Sequence, residues 1–192
     1  MSGRPAWPER SGRPAWPERS GRRPFLVNVA DLVHRPGARR HEGVSGRIDG
    51  LRVVDAAVPP GAPVTVDAVL EWVSDGVLAS GTATAPWAGE CRRCLRPVGG
   101  EVAVEFRELF EETPREGQSY PLRADHMDLE PLAREAILLD LPLAPLCAPD
   151  CHGLCPTCGM DLNAGACECG APDPDPRWAA LDALRVEPPG TG

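Results

Sequence analysis

Apolar and polar positions alternate along residues 24–112 in the manner of half-buried β-strands. The clearest run places apolar side chains at every second position: Val64, Val66, Ala68, Leu70 and Trp72. A period of two puts one set of side chains on a buried face. A Ser-Asp-Gly turn signal follows at 74–76, and further strand-like runs occupy 77–87 and 102–106. Successive strands with short links favour an antiparallel meander.

A helical pattern replaces this alternation after a loop predicted at 113–127. The spacing of three and four residues between Leu129, Leu132, Ala136 and Leu139 predicts one face of a helix over 128–141. Asp128 can cap this helix, and Pro131 is tolerated in its first turn. Pro142 and Pro145 end it, because proline cannot continue a helix.

These patterns together predict an α+β fold. We expect an antiparallel β-meander or partial barrel with one main helix, a C-terminal cysteine-rich zinc-binding segment at 147–169 and a short terminal helix at 175–184. The folded domain spans 24–184, with 24–112 mainly β. Residues 1–23 contain the nonamer SGRPAWPER twice, and each copy carries two prolines. We therefore predict that 1–23 and 185–192 are disordered tails.

Charge is unevenly distributed. The formal net charge is −8, and every basic residue is arginine. Residues 1–47 hold ten arginines against four acidic residues, whereas 48–192 hold ten against 24. Such an acidic body repels phosphate backbones, since nucleic-acid affinity rests largely on neutralised phosphates. A protein partner with a basic surface fits it at least as well as RNA.

The chain shows neither an export signal nor an apolar run of the roughly 18 residues that a membrane span needs. We therefore expect a cytoplasmic protein without membrane attachment. In a reducing cytosol, eight cysteines indicate metal binding sooner than disulfides.

Six of the eight cysteines form a tight cluster between residues 147 and 169. At its centre, Cys155-Pro-Thr-Cys158-Gly159 has the form of a zinc knuckle. The two-residue gap lets both thiolates reach one metal, and the glycine permits a turn with positive φ. A second pair, Cys91-Arg-Arg-Cys94, sits between two predicted strands and fits a metal better than a redox pair, which expects a βαβ setting.

The eight thiols can be divided in more than one way. The preferred division assigns Cys155, Cys158, Cys167 and Cys169 to one zinc, and Cys91, Cys94, Cys147 and Cys151 to another. A rival division places both C-x-x-C pairs on one zinc, and a single site with spare cysteines also remains open. Loop-closure entropy grows only logarithmically with length, so the 52 residues between Cys94 and Cys147 exclude neither division. We expect one or two structural Zn²⁺ per chain.

Motifs for catalysis are missing from the sequence. It contains no Gly-rich phosphate loop, no nucleophile elbow and no HExxH. Four thiolates per metal saturate its coordination, whereas catalytic zinc keeps an open position. We therefore expect no enzymatic activity and no small-molecule substrate, with a thiol oxidoreductase as the alternative. The glutamate-rich stretch 101–116 is either a solvated strand face or an acidic docking surface.

Several segments, in this order, resemble the YceD family of large ribosomal RNA subunit accumulation proteins: CRRCLRP, FRELFEE, LAREAILLDLPLAPLC, DCHGLCPTCGMDLN and DPRWAALDAL. The resemblance implies a role in accumulation of large-subunit ribosomal RNA and in ribosome assembly. The expected partner is that RNA, a ribosomal protein or an assembly intermediate. Arg92, Arg93 and Arg96 are the candidate contacts. The resemblance supplies no catalytic residues.

Overall fold

The computed structural model describes residues 23–74, 76–170 and 177. Within them the elements are β1 (Leu26–Asn28), β2 (Arg39–Gly46), β3 (Ala56–Ala57), β4 (Val64–Val73), β5 (Gly76–Glu90), β6 (Pro97–Glu111), β7 (Tyr120–Arg123), β8 (His126–Asp128) and α1 (Glu130–Asp140). The predicted tail at 1–23 (Arg23 apart), the predicted helix at 175–184 (Arg177 apart) and the predicted tail at 185–192 lie outside the described residues.

The strands form one curled sheet that resembles half of a barrel. Its order is β1-β8-β7-β6-β5-β4-β2, and β3 pairs with β5 beside that path. The predicted antiparallel meander is confirmed for β4, β5 and β6, which pair in succession. One neighbouring pair, β6 and β7, is parallel, with Phe110 opposite Tyr120.

The loop predicted at 113–127 is wrong in part, because β7 and β8 lie within it. Both strands are short and show no regular alternation of apolar and polar residues, so their sequence carries no strand signal. Their partners are distant: β8 pairs with β1, about a hundred residues earlier in the chain. Leu122 and Met127 are nevertheless buried. Pairing with distant strands therefore decides the secondary structure of this segment.

The core side of the sheet follows the predicted alternation. Every second residue of β4, from Val64 to Trp72, is buried. The small residues predicted to suit close packing in β5 have a visible reason at Gly81. A Cβ atom there would lie 2.1 Å from the carbonyl oxygen of Asp67 on β4. Only glycine permits this approach of the two strands.

Helix α1 packs against β5 and β6, and its buried face agrees with the predicted one only in part, since Leu129 and Leu132 are buried as expected. The buried residues are Leu132, Ala133 and Ile137, whereas Leu139 is 87% exposed. The contact line follows the spacing of four from Ala133 to Ile137, which leaves Leu139 on the solvent side. The predicted cap is wrong, because the helix begins at Glu130 with Leu129 as its N-cap and no side-chain cap bond. Asp128 lies one residue before the N-cap, and its Oδ1 accepts the N–H of Glu130 at 3.0 Å. Within the described residues, no helix has the length and apolar character to cross a membrane.

Candidate metal centres

The structure gathers all eight thiols into two groups of four. Within each group the sulfurs lie within 4.8 Å of one another. The first group, here the sheet tetrad, is Cys91, Cys94, Cys147 and Cys151. The second, here the terminal tetrad, is Cys155, Cys158, Cys167 and Cys169. This is the preferred division from the sequence, and the two C-x-x-C pairs lie in different groups.

The sheet tetrad joins the link between β5 and β6 to the segment that follows α1. Cys91 Sγ lies 3.8 Å from Cys151 Sγ, and Cys94 Sγ lies 3.5 Å from Cys147 Sγ. Three of these thiols are buried, and Cys147 is exposed. In the terminal tetrad only Cys155 is buried, and Cys158 is exposed. The two sites therefore differ in how well they are shielded from water.

The spacing of the sulfurs fits a tetrahedral metal ion. Zn–S bonds of about 2.3 Å in a tetrahedron separate the sulfurs by about 3.8 Å. The observed distances of 3.5 and 3.8 Å agree with this value. They are far longer than the roughly 2.0 Å of a disulfide, and all eight cysteines are free thiols. Each tetrad can hold a metal ion, and an all-thiolate donor set suits zinc.

The two C-x-x-C pairs have the same backbone geometry. In the first, the N–H of Leu95 donates to Cys91 O at 2.8 Å, and the N–H of Cys91 donates to Arg96 O at 2.8 Å. In the second, Gly159 donates to Cys155 O at 2.9 Å and Cys155 to Met160 O at 2.8 Å. The same four-residue and five-residue spacings recur, so both pairs form a knuckle that presents two sulfurs to one point.

The residue after each knuckle takes a left-handed backbone conformation. Gly159 has φ of 73°, as its residue type predicts. Leu95 occupies the matching position with φ of 58°, which is unusual for a side chain of its size. No glycine marks this position in the first knuckle, so only the structure shows that the two knuckles are equivalent.

Hydrogen bonds within each knuckle favour the thiolate that a metal needs. Burial raises the pKa of Cys91, but hydrogen bonds with the backbone of Cys94, Cys147 and Arg93 outweigh it and bring that pKa to about 6. Hydrogen bonds with the backbone of Cys158 and Thr157 lower the pKa of Cys155 to about 6 as well. Backbone N–H groups stabilise the charged sulfur in this way.

Thiols within one tetrad compete for charge when no cation is present. A hydrogen bond with Cys94 raises the pKa of Cys147, and one with Cys158 raises the pKa of Cys169. The pKa of Cys167 is raised in the same manner by Cys155. A divalent ion reverses this preference, because coordination deprotonates the thiol. Each tetrad would therefore present four thiolates only when a divalent ion is bound.

Polar side chains connect the two tetrads. Asn163, from the loop of the terminal tetrad, directs its Nδ2 at Cys151 Sγ of the sheet tetrad, 3.5 Å away. Its Oδ1 accepts the N–H of His152 at 2.8 Å. Asp161, two residues earlier, forms an ion pair with Arg96 at 3.1 Å. Sequence reasoning did not single out Asp161 or Asn163; their position directly after the second knuckle was the available signal.

The three arginines predicted as partner contacts are all exposed. Arg93 Nη1 donates to Cys151 O at 2.8 Å, and Arg96 pairs with Asp161. These two side chains therefore hold the cysteine-rich segment against the sheet. His152, which directly follows Cys151 in the chain, belongs to neither tetrad.

Asn163→Ala should weaken metal binding at the sheet tetrad although Asn163 is not a ligand. The variant removes the N–H that Cys151 accepts, and loss of such outer contacts typically lowers metal affinity about 10–100-fold. We expect faster zinc loss from one of two sites in competition with a chromogenic chelator. Asn28→Ala, in remote strand β1, is the control. Equal zinc release from both variants would contradict the role given to Asn163.

The fold and the sites together define a class of protein: a β-sheet that carries two groups of four cysteines, each group built on one C-x-x-C knuckle and able to hold a metal ion. The chain belongs to the YceD family. The family model described as large ribosomal RNA subunit accumulation protein YceD matches residues 79–185, more than half of the chain. The match includes all eight cysteines.

Relatives extend the likeness beyond this region. A protein of Mycobacterium tuberculosis named only as uncharacterised is 43% identical over 171 residues, covering 82% of this chain and 80% of that protein. One from Mycobacterium leprae is 37% identical over 182 residues, covering 88% and 81%. A chloroplastic protein of Arabidopsis thaliana, named large ribosomal RNA subunit accumulation protein YCED homolog 1, is 28% identical over 68 residues, covering 35% and 21%. No solved structure matches the chain significantly.

Proposed function

We propose that the chain is a non-enzymatic factor that supports accumulation of large-subunit ribosomal RNA and ribosome assembly in the cytoplasm, with a structural Zn²⁺ in each tetrad. The observation that carries the proposal is the pair of complete four-thiol sites in a chain of the YceD family. Four thiolates close the coordination sphere of zinc and leave no position for a substrate. The metal would then supply folding energy rather than chemistry.

Zinc at the sheet tetrad would anchor the cysteine-rich segment to the sheet. Backbone contacts already mark this junction, since Arg92 N–H donates to Pro145 O at 2.9 Å and Leu154 N–H donates to Arg93 O at 3.1 Å. A thiol oxidoreductase is less well supported. Its reactive pair would need to be free of metal, whereas both knuckles direct their sulfurs toward two further cysteines.

Depletion of the protein in its host should lower large-subunit ribosomal RNA selectively. Without the factor, precursor particles of the large subunit would not be completed, and their RNA would be degraded. We expect the ratio of large- to small-subunit ribosomal RNA to fall, and re-expression of the intact chain to restore it. Quantification of both RNAs on a denaturing gel measures this ratio. An unchanged ratio would remove the proposed function but leave the metal centres intact.

The acidic body favours a protein partner over direct RNA contact. Residues 48–192 carry ten arginines against 24 acidic residues, and a negative surface repels phosphates. A complex with assembly intermediates that survives ribonuclease treatment would support recognition through a ribosomal protein. Loss of the complex on that treatment would support recognition through RNA.

A further inference from the structure

A cleft of about 340 Å³ opens between β6 and α1, away from both tetrads. Its apolar lining comes from β6, from the start of β7 and from the helix: Val104, Phe106, Tyr120, Leu132, Ala136 and Leu139. This volume is at the lower end of the range for clefts that hold a ligand, about 300–1,000 Å³. It suits a few side chains of a bound segment.

The cleft leaves apolar surface in contact with water. Leu139 is 87% exposed although it lies on the only helix of the described residues. Phe106 and Val104 pack against the core but remain partly exposed on the strand side. A leucine so placed gains nothing from the folded chain itself. These partly exposed apolar side chains offer contact area to a partner, and charged residues surround them.

The border of the cleft is acidic. Strand alternation places Glu108 on the same face of β6 as Val104 and Phe106, and Glu135 and Asp140 line the cleft from α1. Glu105 and Arg107 also contribute to the lining, but they lie on the opposite face of the strand. The hydroxyl of Tyr120 donates to Glu135 Oε2 at 2.6 Å, which fixes the wall between strand and helix. Phe110 stacks on the ring of Tyr120 with centroids 5.2 Å apart, so this wall rests on the core. The cleft therefore has walls held in place by the core and a negatively charged border.

The glutamate-rich stretch 101–116 does not act as one surface. Glu111 is buried, where Arg115 donates to its Oε1 at 3.0 Å and to its Oε2 at 3.3 Å. Hydrogen bonds from Ser119 and Arg115 lower the pKa of Glu111. The carboxylate of Glu111 is therefore paired within the fold, whereas Glu108 borders the cleft.

We propose that the cleft between β6 and α1 binds a short segment of a partner protein in which apolar side chains are flanked by arginine or lysine. The apolar side chains would occupy the space beside Phe106 and Leu139, and the cations would pair with the bordering carboxylates. Charge complementarity identifies this occupant, because the same carboxylates repel RNA phosphates. The inference rests on the proposed function and deepens it by giving the factor a basic protein partner.

Synthetic peptides test the cleft directly with the intact chain. The probe is a fluorescein-labelled 14-residue peptide of leucine and arginine, measured by fluorescence anisotropy. Two matched peptides replace either leucine by serine or arginine by glutamate. We expect binding of the leucine–arginine peptide only, weakened by added salt. Equal binding of the serine–arginine peptide, or tighter binding of a 20-nucleotide RNA, would overturn the proposal.

Two pairs of surface variants locate the binding and should leave the fold intact. Leu139→Glu should weaken the leucine–arginine peptide about tenfold or more, as loss of a central apolar contact does. Val54→Glu, on a residue that is 83% exposed and outside the cleft, is its control. Glu108→Arg should weaken binding more than Glu116→Arg, which makes the same change of net charge in an exposed loop. Equal effects within either pair would overturn the proposal.

The outcomes separate this inference from the proposed function. An unchanged ribosomal RNA ratio together with cleft-specific peptide binding would reject the function and keep the docking surface. A fallen ratio without peptide binding would keep the function and reject the surface. Binding that appears only after removal of residues 1–22 would show that the chain's own arginine-rich N-terminal segment occupies the cleft, which would also overturn the proposal.

Discussion

Purified protein should hold two zinc ions per chain, and Cys91→Ser should reduce this number to one. Cys91 is fully buried in the sheet tetrad, where its pKa of about 6 already favours the thiolate. A serine hydroxyl is a poor zinc ligand, and a structural zinc supplies roughly 10–16 kcal/mol of apparent binding energy. We expect Cys91→Ser to detach residues 147–169 from the sheet. Metal content by mass spectrometry and limited proteolysis measure both effects.

The terminal tetrad provides the comparison. Cys155→Ser should also leave one zinc but expose only the segment around the second knuckle, because none of the four terminal cysteines lies on the sheet. Thr157→Ala, between the two knuckle cysteines and exposed, is the control and should retain both ions. Folded protein without metal, or Cys155→Ser with unchanged protease resistance at 155–169, would contradict the structural role of zinc.

Phe110→Ala should destabilise the whole sheet by about 3–5 kcal/mol, the usual cost of removing a buried phenylalanine. Phe110 is fully buried at the end of β6. It lies opposite Val77 on one side and Tyr120 on the other, where the parallel strand β7 joins. Its loss leaves a cavity at this junction and removes the stacking on Tyr120. Urea unfolding followed by circular dichroism gives the change in unfolding free energy.

Leu139→Ala is the matched control for Phe110→Ala. Both variants delete a large apolar side chain, but Leu139 is 87% exposed. We expect its free energy of unfolding to change by less than about 0.5 kcal/mol. A similar loss of stability in both variants would show that the packing described for α1 and β6 is wrong.

The sheet and the helix show which parts of a fold a local pattern can reveal. The alternation in β4 predicts its buried face because strand geometry places every second side chain on one side. The helix at 128–141 is recognised from spacing, yet the buried face turns toward Ile137 and away from Leu139. Spacing alone allows either line of contact. The surface of β5 and β6 selects one of them.

The cysteines show the same boundary between local and long-range information. A C-x-x-C pair followed by a turn forms a knuckle through hydrogen bonds within six residues, so its geometry is encoded locally. The grouping of the sheet tetrad is not encoded locally, because 52 residues separate Cys94 from Cys147. Loop-closure entropy hardly distinguishes between such pairings.

Local patterns and composition predict the strand-rich class, the helix, the two knuckles and the acidic character of the body, because each depends on neighbouring residues or on residue counts. Four further features follow from tertiary contacts alone: the division of the thiols, the parallel pairing of β6 with β7, the bridge from Asn163 to Cys151 and the exposure of Leu139. Those features depend on residues that are distant in the chain. The packing of the curled sheet as a whole selects their contacts, and no local sequence pattern predicts that packing.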